Sequence, residues 1–268
     1  MTLREEISEA SASVHPPAHD PSVIRARIDD LTKPVGSLGR LEELALQVGV
    51  VVGRPTQDFG RAAVYVFAAD HGVTVQGVSA YPSTVTAQMC ANFSAGGAAI
   101  NALAGSLNAD VRAVDVGVAA ELGALPGLLN RKIRYGTADL SLGPAMSRDE
   151  AMRSVLAGAR VLSAEDATGL DIVAVGEMGI GNTTAAAAVT AALTGAPSGE
   201  VVGRGTGVGE EALVVKTKAV EAAVVRLDDR AGPIDVLAEV GGLELGAMAG
   251  AMIGAASANK LVVLDGYI

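Results

Sequence analysis

An α/β fold, with helices packed on a mainly parallel sheet, follows from three features of this chain. Residues 171–175 are a short apolar run rich in β-branched side chains, which reads as a buried strand. That run breaks into Gly176-Glu177-Met178-Gly179-Ile180-Gly181-Asn182-Thr183-Thr184 and then into an alanine-rich helical stretch over 185–193, ending near Gly195 and Pro197. Half of the residues are hydrophobic but only 3% are aromatic, and 33 glycines accompany the Ala, Val and Leu, so the layers can approach closely. A length of 268 residues accommodates one large α/β domain, or one domain and a small lobe.

The elements follow in order. Residues 1–20 are polar and mixed in charge, without the basic start and apolar core of a signal peptide. Residues 21–31 have helical spacing, with Val23, Ile24, Ile28 and Leu31 on one side. A Gly/Ser loop over 32–39 follows, then a helix over 40–52 whose stripe is Leu41, Leu44, Val48 and Val51. Lys33 and Arg40 flank that loop within reach of a phosphate, although two solvated cations are the commoner arrangement. Residues 61–69 read as the first sheet strand, ending in Asp70-His71-Gly72-Val73. Ligands of open α/β sheets sit beyond the carboxyl ends of strands, so Asp70 and His71 are well placed. No second His or Cys lies at ligand spacing from His71, so a hydrogen-bonded structural pair is expected there rather than a metal.

Beyond a loop over 77–82, Ser83 can cap a helix over 84–93, which carries Val85, Gln88, Met89 and Asn92 at face spacings. Gly96-Gly97 breaks it before a helix over 98–107. Residues 110–116 form a second strand and 132–135 a third. Ser147-Arg148-Asp149-Glu150 is a capping box opening a helix to Leu162. After the central strand and helix, residues 201–207 read as a second strand and glycine turn, leading into a helix over 210–227. Arg204 and Lys216 there can set positive charge against an anion. A Gly/Ala helix over 241–257 and a strand over 261–264 complete the chain. Residues 1–58 are thus a helical segment and 59–268 an α/β nucleotide-binding domain.

Strand, glycine turn and helix is the layout that aims free backbone N–H groups at an anion. Gly176 to Thr183 has P-loop spacing, but Asn182 stands where the phosphate-binding lysine must be, which argues against nucleoside triphosphate chemistry. Gly179-x-Gly181-xx-Thr184 is an imperfect dinucleotide motif. A monophosphate fits better. Glu177 is the odd residue of this neutral cradle; either it is solvated or braces the turn, or it orients or deprotonates something beside the anion. The net charge of −10 disfavours nucleic acid. Residues 72–109 carry no charged side chain but many polar ones, which suits a pocket for a flat neutral ligand better than a membrane span. The single cysteine, Cys90, precludes an intramolecular disulfide, fits a reducing cytoplasm and reads as a buried structural thiol.

Six segments together resemble the nicotinate-nucleotide–dimethylbenzimidazole phosphoribosyltransferase family: 33–39 (KPVGSLG), 69–73 (ADHGV), 77–88 with Asn92, 96–101 (GGAAIN), 176–184 (GEMGIGNTT) and 202–208 (VGRGTGV). The resemblance spans nearly the whole chain. It implies a Rossmann-like large domain, a small helical lobe built from both termini, incomplete in this chain, and a cytoplasmic homodimer. It implies transfer of phosphoribose from nicotinate mononucleotide to 5,6-dimethylbenzimidazole, giving α-ribazole 5′-phosphate and nicotinate for the lower ligand of cobalamin, with no cofactor or metal. Carried over by position, Gly179, Ile180, Gly181, Asn182, Thr183, Gly205 and Lys216 would contact phosphate and ribose. Ser79, Tyr81, Gln88 and Met178 would line the base pocket, and Glu177 would hydrogen-bond the base or assist its deprotonation. The family runs on to a late Gly-Glu-Gly-Thr-Gly stretch whose Glu is its principal general base, and these 268 residues contain no such stretch. The resulting expectation is weak or absent turnover with Glu177 substituting; the alternative is a non-catalytic nucleotide- or benzimidazole-binding protein.

Overall fold

The computed structural model describes residues 1–16, 19–53, 60–163, 169–228 and 230–268. Its centre is a five-stranded sheet in the order β3-β2-β1-β4-β5, formed by β1 (Arg61–Ala69), β2 (Asp110–Gly117), β3 (Leu129–Asn130), β4 (Leu170–Met178) and β5 (Leu261–Val263). Every pairing is parallel. From β1 the chain winds outward through β2 and β3 on one side, and through β4 and β5 on the other. The winding therefore reverses between β1 and β4, and a crevice opens at their carboxyl ends.

Odd-numbered residues of β1 (Ala63, Tyr65, Phe67, Ala69) join Val173 and Val175 of β4 in the main core. That face is covered by α6 (Arg148–Ser163) and α11 (Leu243–Ser257), with α7 (Asn182–Thr194), α9 (Glu210–Val224) and α10 (Pro233–Val240) beside them. The expected close approach of layers is realised between α6 and α11. A Cβ on Gly158 would run into the Ala247 carbonyl, and one on Gly250 into the Val155 carbonyl, so only glycine fits at either crossing. The opposite face carries α4 (Thr84–Ser94) and α5 (Ala99–Ser106), with Ala68, Cys90 and Val118 in a smaller buried cluster. Cys90 is fully buried, and burial pushes its thiol up to about 12.

At the amino-terminal end, α1 (Leu3–Ala12) lies against α6 and α11, while α2 (Pro21–Asp29) pairs with α3 (Arg40–Val52). Ile24 and Ile28 are buried as expected, but Val23 faces out. The first half of the α3 stripe is also turned outward, with Leu41 63% and Leu44 42% exposed, while Val48 and Val51 are half-buried. Glu42 occupies the inner position instead, held by Lys33 Nζ at 2.8 Å and the Leu38 N–H at 3.1 Å. Lys33 and Arg40 are thus committed to Glu42 and Glu43. The boundary at 58/59 lies outside the described residues. Among the described residues no helix is long and apolar enough to cross a membrane.

Three expectations about elements are corrected. Residues 132–135 form no strand, because Lys132 turns inward to Asp115 Oδ2 at 2.9 Å and the Ala120 carbonyl at 3.1 Å; β3 lies just upstream. Residues 201–202 form no strand either, since Pro197 starts the one-turn α8 (Ser198–Val201) and two valines are too short a run to compete. Ser83 precedes α4 without a side-chain cap. The Ser147 capping box is present, with Ser147 N–H to Glu150 Oε2 at 2.8 Å and Glu150 N–H to Ser147 Oγ at 3.2 Å. Missed altogether was α10, announced by Gly232-Pro233 and by Asp235 accepting from Gly232 N–H at 3.0 Å.

Candidate active site

The crevice at the β1/β4 switch point is built by one continuous segment. β4 runs three residues further than the apolar pattern indicates, so Glu177 and Met178 belong to the strand, with Glu177 in register with Phe67 and Met178 with Ala68. The turn is Gly179-Ile180-Gly181. A Cβ on Gly179 would collide with the Ala69 carbonyl, so only glycine lets this turn lie on the end of β1. Gly181 has φ +93°, a left-handed conformation that favours glycine, and it caps α7 without help from a side chain. Asn182, Thr183 and Thr184 are therefore first-turn helix residues rather than caps. Ile180 N–H donates to Thr86 Oγ1 at 3.1 Å, Asn182 N–H to the Gly179 carbonyl at 3.1 Å, and Thr184 N–H to the Gly181 carbonyl at 3.0 Å, which pins the turn before any ligand arrives.

Charge comes from α9. Lys216 is fully buried, and its Nζ donates to Thr183 Oγ1 at 2.7 Å and to the Gly203 carbonyl at 3.0 Å. Desolvation lowers its pKa to about 8, so it is still mostly protonated at neutral pH. Gly205, at φ +51°, closes over it: a Cβ there would lie 2.6 Å from Thr183 Oγ1 and 2.9 Å from Lys216 Nζ. The sequence-predicted phosphate residues 179–183, 205 and 216 are thus brought together, with an ammonium beside a helix N-terminus. Arg204 points away, to Glu210 and to the Val208 carbonyl at 2.9 Å.

Glu177 stands at the other edge of the turn. Burial, reinforced by the charge of Glu244, raises its pKa, while a hydrogen bond from Asn182 and the charge of His71 pull the other way. His71 does form a buried hydrogen-bonded pair, but with Glu244 at the start of α11 rather than with its neighbour; Nε2 to Oε1 is 2.8 Å. Burial opposes the imidazolium, yet the charge and hydrogen bond of Glu244, with Asp70 and Glu177 behind, raise its pKa overall. Asp70 instead accepts from Ala119 N–H at 2.8 Å, and burial raises its pKa. Glu244 escaped the sequence reading, although a solitary acid in the otherwise uncharged stretch 240–259 was a usable signal.

A cavity of about 520 Å³ adjoins this arrangement, lined by Val66, Phe93, Gly176, Glu177, Thr183 and Tyr267 among others. Its largely apolar wall suits a flat ligand. The four predicted base-pocket residues are less unified than the phosphate set, and none lines this cavity. Ser79 meets the glycine loop through Thr206, Oγ to Oγ1 3.1 Å, and Thr206 Oγ1 also accepts from Ala80 N–H at 2.9 Å. Tyr81 is 57% exposed and Gln88 is exposed, while Met178 packs against the Ala68–Cys90–Val118 cluster.

A family model described as "Phosphoribosyltransferase" matches residues 16–268. The enzyme named nicotinate-nucleotide–dimethylbenzimidazole phosphoribosyltransferase from Thermus thermophilus is 54% identical over 251 residues, which cover 92% of this chain and 75% of that one. Its namesake from Chloroflexus aggregans is 52% identical over 246 residues, covering 91% and 69%. The crystal structure of CobT from Thermus thermophilus superposes with a TM-score of 0.87 at 53% identity, covering 92% of this chain and 74% of that one.

Proposed function

The chain belongs to the nicotinate-nucleotide–dimethylbenzimidazole phosphoribosyltransferase family, and on that premise we propose how its own residues perform that reaction. Phosphoribose passes from nicotinate mononucleotide to 5,6-dimethylbenzimidazole. The substrate phosphate sits at the α7 N-terminus, held by the 179–183 turn, Lys216 and the Gly205 loop. The base lies against Glu177, where the cavity is open to it; the assignment of Ser79, Tyr81, Gln88 and Met178 to the base rests on the family resemblance alone, since none of them lines that cavity. An azole nitrogen attacks the anomeric carbon from the face opposite nicotinate. The bond from that carbon to the pyridinium nitrogen breaks, its electron pair neutralising the ring, and the azole N–H proton passes to Glu177. A carboxylate with a raised pKa is the better proton acceptor.

The observation that carries this reading is Lys216, a buried ammonium held on neutral oxygens at a helix N-terminus, one strand-end from a desolvated carboxylate. The high identity over more than nine-tenths of the chain favours an enzyme over a non-catalytic binder. A homodimer in the cytoplasm is part of the proposal, on the strength of the family resemblance and the lone buried thiol, as is a small lobe that includes residues 1–58. The test is direct: the purified chain is given both substrates and α-ribazole 5′-phosphate is followed by chromatography. Product that disappears with Glu177→Gln supports the reading; benzimidazole binding without nicotinate release would replace it with the binder.

A further inference from the structure

We propose that His71 and Glu244 are positioning residues for this site: their buried pair is the floor on which the Gly179–Gly181 turn, beside Glu177, is held. The inference deepens the functional reading above and rests on it for the identity of the ligand.

The geometry carries it. The two side chains come from elements 173 residues apart, one at the end of β1 and one at the start of α11, and both are fully buried. The imidazole is wedged between two glycine turns. A Cβ on Gly179 would lie 3.3 Å from His71 Nε2, and one on Gly181 would lie 3.2 Å from His71 Cβ. From below, a Cβ on Gly242 would lie 2.6 Å from His71 Cε1 and 2.5 Å from Glu244 Oε1. Gly179 therefore rests against the ring and Gly181 against the His71 Cβ, and Glu244 sets the ring's orientation.

The pair is also a poor device for stability alone. His71 Nδ1 and Glu244 Oε2 are buried without a hydrogen-bond partner. Incompletely satisfied buried ion pairs generally repay their desolvation badly, and apolar side chains of similar volume fold as well or better. A costly polar pair placed beneath a binding turn fits a role in the site. The charged groups around it belong to the same constellation: Asp70 beside His71, Glu177 on β4, and Glu244 itself, whose charge supports the raised pKa of Glu177.

The test compares the whole chain with the double variant His71→Leu/Glu244→Met and with Glu244→Gln. Three readouts are taken: melting temperature, calorimetric binding of nicotinate mononucleotide, and amide hydrogen exchange at residues 179–182 with α9 as control. The double variant is expected to melt within a few degrees of the parent. Its binding should be at least tenfold weaker, and exchange at 179–182 at least tenfold faster, with α9 unchanged. Glu244→Gln, which keeps the shape and a hydrogen bond to the ring, should recover most of the binding. Unchanged exchange at 179–182 overturns the proposal whether or not the nucleotide binds. So does a binding loss that vanishes on cooling to a temperature at which the variant is fully folded, since the pair would then only stabilise the chain. A parent that binds no nucleotide, with exchange faster in the variant, would refute the substrate and leave the floor standing.

Discussion

Replacing Lys216 with methionine should make the protein more stable and a worse phosphate binder at once. The lysine is fully buried and its pKa stands at about 8 instead of 10.5. Because the folded value is the lower one, the unfolded chain binds more protons between those limits. Stability therefore rises with pH from about 8 to 10.5, and the full penalty applies below 8. At about 1.4 kcal/mol per unit, that penalty is about 3 kcal/mol. Lys216→Met removes it but strips a donor from Thr183 Oγ1 and the Gly203 carbonyl, at about 1 kcal/mol each. The balance is a gain of about 1 kcal/mol, or about 2–4 °C in melting temperature. The lost charge-assisted hydrogen bonds to phosphate, about 1.5–3 kcal/mol, weaken nicotinate mononucleotide about 10- to 150-fold. Scanning fluorimetry and calorimetry at pH 7 read both quantities. A variant that melts lower yet binds normally would show that Lys216 is a structural cation and not the phosphate ligand. The parent should also bind inorganic phosphate progressively less well as pH rises through about 8, and the variant should lack that limb.

Glu177→Gln should lower kcat by about 10²- to 10⁴-fold with little change in the KM for nicotinate mononucleotide; an equal loss in both would make it a binding residue. With Glu177 titrating above the ordinary carboxylate range, the parent's kcat/KM should fall on acidification at a higher pH than an exposed glutamate would give, and a profile flat down to pH 4.5 would contradict this. Gly179→Ala, forced against the Ala69 carbonyl, should abolish phosphate binding in a chain that still melts cooperatively, read by calorimetry beside a thermal scan. Cys90 should resist thiol reagents in the native protein and react in full only after denaturation; rapid native labelling would show that α4 is not closed over it.

The glycine-turn part of the candidate site was legible because it is local. Strand, glycine turn and helix follow one another in a single segment, and the second glycine loop carries its own signature. The base half was less legible. Ser79, Tyr81, Gln88 and Met178 come from a loop, a helix and a strand, and spacing along the chain does not say which of them face one cavity. The outward half of the α3 stripe shows the same limit. Periodicity located the helix to the residue but not its inner side, where Glu42 is buried against Lys33.

The sequence by itself determined what short-range sterics control: the β-branched run into β4, the glycines at 179 and 181, the helix that follows, and the absence of a P-loop lysine at Asn182. Only the tertiary structure decided the strand order that makes β1 and β4 the switch point, the burial that lowers Lys216, and the meeting of His71 with Glu244 across 173 residues. Those outcomes depend on which surfaces pack together and how far water is excluded, and neither quantity is encoded in the spacing of neighbours along the chain.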